Sequence, residues 1–184
     1  MRVSKCALAF LATALIALPI TAAVKAMTLK ELMAVTTDAV HGKIVSRDVI
    51  RLSHPWEGAI YTQLTIEGES IRTGEQGTFT AVFHGSHRTE DWYGISSMPT
   101  LQDSRQGGEG LFFFGEHPMA PGHNMVFNHA GLYRVERGFG EPVIVGKGEG
   151  AAFAENTKLE SVKTSIRATH ADLARARSAP GLSK

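Results

Sequence analysis

Ile60-Tyr61-Thr62-Gln63-Leu64-Thr65-Ile66 decides the fold. Ile60, Thr62, Leu64 and Ile66 alternate with Tyr61, Gln63 and Thr65, the period-two pattern of a half-buried strand. The same alternation recurs downstream, where Phe79, Ala81 and Phe83 interleave with Thr78, Thr80 and Val82. Upstream, 39–49 is β-rich, with Gly42 marking a bulge or a close backbone approach. Turn chemistry separates these runs: 53–58 holds Pro55 and Gly58, and 73–77 holds Gly74 and Gly77.

Further along, Leu111-Phe112-Phe113-Phe114 is a short apolar run suited to a strand covered on both faces. Runs at 125–127 and 132–135 flank a hairpin-like break at 128–131, and 142–145 is a last short strand. Helices frame this β-rich centre. Thr28 and Glu31 have capping-box spacing ahead of Leu29, Leu32 and Met33. Thr157 and Glu160 repeat that spacing before the stripe Leu159, Val162, Ile166 and Leu173, which runs to about Arg177 and ends at 178–181. The expected fold is mainly β: a small OB-like Greek-key barrel of five or six strands, with a short N-terminal helix and a C-terminal helix. Barrel closure would remove exposed sheet edges.

The first 26 residues read differently. Arg2 and Lys5 precede an apolar run at 6–20, and Ala22, Ala23 and Ala26 follow. A basic start, short apolar core and small residues form a secretory signal, with cleavage expected after Ala26. The expected organisation is a signal peptide at 1–26, a barrel domain at 27–150, and an amphipathic helix and tail at 151–184. The protein is then exported, periplasmic or extracellular, with no membrane attachment after cleavage. The sole cysteine, Cys6, lies in the signal, so the remainder can form no disulfide or thiolate site. It carries 16 basic residues against 18 acidic ones. That balance lacks the basic surplus that nucleic-acid partners require.

The element order also resembles a known group. Thr28-Leu29-Lys30-Glu31-Leu32-Met33 leads into 37–45, then 59–66, then a Gly-rich approach to 111–114, and finally Leu132-Tyr133-Arg134-Val135. This is similar to poorly characterised secreted bacterial proteins with a barrel of the netrin and tissue-inhibitor-of-metalloproteinase type, over 28–145. The resemblance implies an OB-type barrel and export. The disulfides and the N-terminal metal-chelating cysteine of the animal inhibitors have no counterpart here. The resemblance therefore implies neither that inhibitory mechanism nor any catalytic residue.

The chemical leads are few. His84 and His87 are three apart; His117 and His123 lie in 116–125 with Met119 and Met125, and His129 follows. Imidazole and thioether donors suit copper or zinc, so His84, His87, His117 and His123 are the candidate metal ligands. Solvated loop histidines are the plainer reading. Ser86, Glu90 and Asp91 offer a weaker hydrolytic set without a Gly-x-Ser-x-Gly elbow. The glycine clusters 107–110 and 146–150 lack Walker spacing and read as turns.

Residues 85–110 form the longest stretch without a period, and long loops in compact domains are usually functional or disordered. Trp92 and Tyr93 sit within it and are the expected contact residues for a partner; Trp56 is a third aromatic on a turn. The expected function is a non-enzymatic binding or interaction protein for an unknown protein or small ligand, without a cofactor. The alternative is a periplasmic His/Met protein that binds copper or zinc.

Overall fold

The computed structural model describes residues 27–53, 57–138 and 140–178. The expected signal at 1–26, Trp56 and the tail beyond Ser178 lie outside the described residues. Helix α1 (Leu29–Val35) opens the fold, and its capping box forms as the sequence dictates. The Thr28 N–H donates to the Glu31 carboxylate at 2.8 Å, and the Glu31 N–H donates to the Thr28 hydroxyl at 3.2 Å.

Five strands close a barrel. They are β1 (Asp38–Leu52), β2 (Ala59–Ser70), β3 (Gln76–His84), β4 (Glu109–Glu116) and β5 (Asn124–Val126). Around the barrel the order is β1-β2-β3-β5-β4, and β4 returns to pair with β1. All of these pairings are antiparallel except β3–β5, which is parallel. This is the closed five-stranded order of an OB-like barrel. Strands β6 (Leu132–Glu136), β7 (Val143–Ile144) and β8 (Thr157–Lys158) extend the sheet from β4.

A row of glycines crosses the barrel wall. Gly42 pairs with Gly68 on one side and Gly110 on the other, and Gly68 pairs with Gly77. A Cβ on Gly68 would stand 2.2 Å from the His41 carbonyl oxygen, and one on Gly42 would stand 2.5 Å from that of Glu67. Gly42 is therefore a point of close backbone approach. The register shift in β1 lies between Ile44 and Ser46 instead. Sharp coiling of long strands into a narrow barrel brings backbones together where side chains are missing.

The barrel interior holds Val40, Ile44, Leu64, Ile66, Ala81, Phe83, Phe112 and Leu132, all fully or nearly fully buried. The opposite face of β4 presents Leu111 and Phe113 to a second core. There they meet Leu32 of α1 and Leu159, Val162 and Ile166 of helix α2 (Leu159–Ser178). This explains the apolar run 111–114: both faces of β4 are covered. Burying each of these three α2 side chains contributes about 1.5–3 kcal/mol. Glu69 fixes the helix azimuth by accepting from Lys163 and Arg167, both at 3.3 Å.

The second capping box does not form. Thr157 lies in β8 opposite Ile144, and its hydroxyl donates to the Glu155 carbonyl at 3.0 Å. Strand pairing thus claims the residue that would have capped the helix.

Candidate functional site

The 85–110 connection begins at the end of β3 and is tied down along its length. Ser86 and Tyr93 bridge as a short antiparallel pair. A 3-10 turn at Thr89–Asp91 lies between them, and Asp91 accepts from Arg51 of β1 at 2.7 Å. The His87 ring donates to the Pro99 carbonyl at 2.8 Å, and the His129 N–H donates to the Ser97 carbonyl at 2.6 Å. Gln106 and Gly107 bond to the carbonyls of Val45 and Ile44. The glycines at 107–110 thus turn the chain into β4, and those at 146–150 turn it after β7, as their spacing suggests.

Two side chains of this loop behave oppositely. Tyr93 is half-buried against His84, with ring centroids 5.3 Å apart. Trp92 is 69 % exposed, the most exposed large apolar side chain among the described residues. Its ring lies over Gly94: a Cβ there would stand 2.9 Å from Trp92 Cζ2. The indole is held against backbone on one side and open to solvent. An aromatic anchor on a bonded loop loses little conformational entropy on binding.

Below the loop, the histidines separate into groups. Tyr61 stacks on His84 at 4.8 Å and meets His117 edge-on at 5.3 Å. His117 is buried. Its Nδ1 accepts from the Met119 N–H at 3.1 Å, so Nε2 carries the proton it shares with the Tyr61 hydroxyl at 3.2 Å. Burial pushes the His84 pKa down and the Tyr61 pKa up. The structure thus gathers His84 and His117 around one phenol, with Met125 on the adjoining apolar cluster. His87 is committed to Pro99, and the His123 backbone closes the 117–123 turn through a carbonyl that accepts from His117 N–H at 2.8 Å. Among the described residues, no three histidine or carboxylate side chains converge as a metal set.

Ser86 is fully buried and its hydroxyl accepts from Arg88 N–H at 3.0 Å. Glu90 pairs with Arg88, and Asp91 with Arg51.

No known protein family, curated protein or solved structure matches the chain. The residues themselves therefore carry the functional argument.

One cluster was not visible in the sequence. Lys147, after β7, keeps only 6 % of its side chain exposed. Its Nζ donates to the His129 carbonyl at 2.6 Å and lies 3.2 Å from His129 Nδ1. Asp103 of the long loop stands 3.7 Å away, and the Tyr133 ring lies 5.3 Å below. Burial lowers the Lys147 pKa to about 8, against the opposing pull of Asp103, with Arg134 adding to the depression. His129 is depressed by burial and by Lys147. Lys147 thereby joins the loop to the 128–131 turn. A lysine beside glycines reads as solvated, and its partners stand 18 and 44 positions away in the chain. Only the fold brings them together.

Proposed function

We propose that this is an exported binding protein whose contact surface is the 85–110 loop, with Trp92 as the anchor and the half-buried Tyr93 as a second contact beside it. The observation that carries this reading is the Trp92 ring, widely exposed yet seated over Gly94 on a loop bonded at both ends and in its middle. Exposed tryptophan is costly to leave in water, and binding hot spots are enriched in it. Export rests on the basic, apolar and small-residue order of 1–26. The partner is a protein or small ligand offering an apolar face to the indole. Pull-down from the producing cells tests it: a partner retained by the wild type and lost by Trp92→Ala supports the reading, and equal recovery contradicts it.

A second reading takes the Tyr61 cluster as a copper or zinc site built on His84 and His117. It is favoured by their shared contact with one phenol and by Met125 nearby. His117 would have to give up a ring hydrogen bond to bind metal. Calorimetry with each metal, repeated on His84→Ala, tests it through loss of stoichiometric binding.

A further inference from the structure

Strand β1 changes faces at Val45. Ile44 pairs with Ile66 and Ser46 with Thr65, so Val45 has no partner in β2. The extra residue re-aims every side chain beyond it. Arg47 therefore stands opposite Leu64, a residue of the barrel interior, and cross-strand partners share a face. The bulge has turned a guanidinium toward the inner face.

The 85–110 loop is tied to β1 on either side of Arg47. Gln106 donates to the Val45 carbonyl, and Asp91 accepts from Arg51. Met98 of the same loop packs on the interior cluster that contains Leu64. At this seam Arg47 Nε and Nη2 are both shut off from solvent, and among the described residues neither has a hydrogen-bond partner. Burial lowers the Arg47 pKa. The loop brings no acceptor of its own. Glu90 pairs with Arg88, Asp91 with Arg51, Asp103 with Lys147 and Glu109 with Arg137. An enclosed cation without an anion is costly, and a bound ion is one of the few explanations for such a group.

Arg137 shows what these two nitrogens can do. Its Nε and Nη2 donate to the two oxygens of Glu109, each at 2.7 Å. That edge of the guanidinium carries parallel N–H donors spaced for a carboxylate. In Arg47 the same edge is the unbonded one.

We infer that a small carboxylate binds between the 85–110 loop and the inner face of β1, held by Arg47 Nε and Nη2. Enclosure of both nitrogens limits the ligand to a small acid, admitted as the loop shifts. The site uses neither Trp92 nor Tyr93, so either proposal can fail alone.

The test follows the Arg47 Nε–H signal by NMR while the purified protein is titrated with sodium acetate. Loss of the signal in R47M assigns it. Sodium chloride and sodium phosphate at matched ionic strength are the comparisons. The expected result is a saturable shift with acetate, at an affinity at least about tenfold above that for either other anion. R47K keeps the charge without the fork and should bind acetate at least about tenfold more weakly. Acetate should also raise the melting temperature of the wild type but not of R47M. Without acetate, R47M should melt no lower than the wild type, because no ion pair is lost. A shift that does not saturate, or an equal response to chloride or phosphate, overturns the proposal. So does acetate stabilisation that persists in R47M, or an R47M that melts well below the wild type without acetate.

Discussion

Lys147 donates to the carbonyl oxygen of His129 at 2.6 Å, deep enough that its ammonium titrates near 8 instead of 10.5. The lysine lies between the 128–131 turn and Asp103 of the long loop, so its charge state is coupled to the seating of the proposed binding surface.

Stability should therefore rise as pH increases from about 8 to 10. The folded-state pKa lies below the unfolded one, so in that window the unfolded chain holds more protons and loses its advantage as they leave. The contribution at full deprotonation is about 3 kcal/mol. Tyr61 and Tyr133 have raised pKa values and act in the opposite sense above pH 10. Urea melts of wild type and Lys147→Met, subtracted at each pH, isolate the lysine. A difference that stays flat from pH 8 to 10 would refute the assignment.

In acid the sign works through histidine. The folded-state pKa values of His84 and His129 are both lowered, by burial first and, for His129, by Lys147 next. Their contribution is present above the ordinary 6.5 and is lost as pH falls through the folded values. His129→Gln should flatten the acid limb of a melting-temperature profile between pH 7 and 5. An unchanged acid limb would show that His129 is charged as readily folded as unfolded.

The glycine row makes a contrast within one strand pair. Gly68→Ala would drive a Cβ to 2.2 Å from the His41 carbonyl oxygen, while Gly77→Ala would meet only Phe79 at 3.8 Å. The first should cost more than about 3 kcal/mol and the second less than about 1. Chemical denaturation of the two variants gives the comparison, and similar losses would contradict the close approach.

Ile166 is fully buried where α2 meets β4 and α1. Ile166→Ala should cost about 2–5 kcal/mol. Unfolding should stay a single transition if helix and barrel share one core. A separate early transition for the helix would argue that α2 folds independently.

The barrel was legible because its signal is local. Leu64 and Ile66 alternate with Gln63 and Thr65, and Thr28 with Glu31 forms a cap within one turn; at the start of the strand the pattern breaks, with Ile60 half-buried and Tyr61 buried in a separate apolar cluster. Thr157 misled because pairing of β8 with Ile144 outweighs a local cap. The candidate site was only half legible. Trp92 announces itself as an aromatic in a polar stretch, but the sequence does not say that Gly94 supports it while Tyr93 turns inward. Lys147 was hidden because burial of a cation depends on Asp103 and His129, which no periodicity links to it.

Trp92→Ala should leave stability within about 0.5 kcal/mol, because the ring is mostly in water. Gly94→Ala should displace the ring without removing it. Both variants should lose binding while melting like the wild type. A large drop in melting temperature for Trp92→Ala would make the indole a structural residue instead.

The most direct measurement is site-specific photo-crosslinking in the producing cells. A benzoylphenylalanine would replace Trp92 in one protein and Glu75, an exposed turn residue, in another. The account predicts one discrete adduct from position 92, displaced by excess wild-type protein but not by Trp92→Ala, and none from position 75. No adduct from position 92, or the same adducts from both positions, would contradict it.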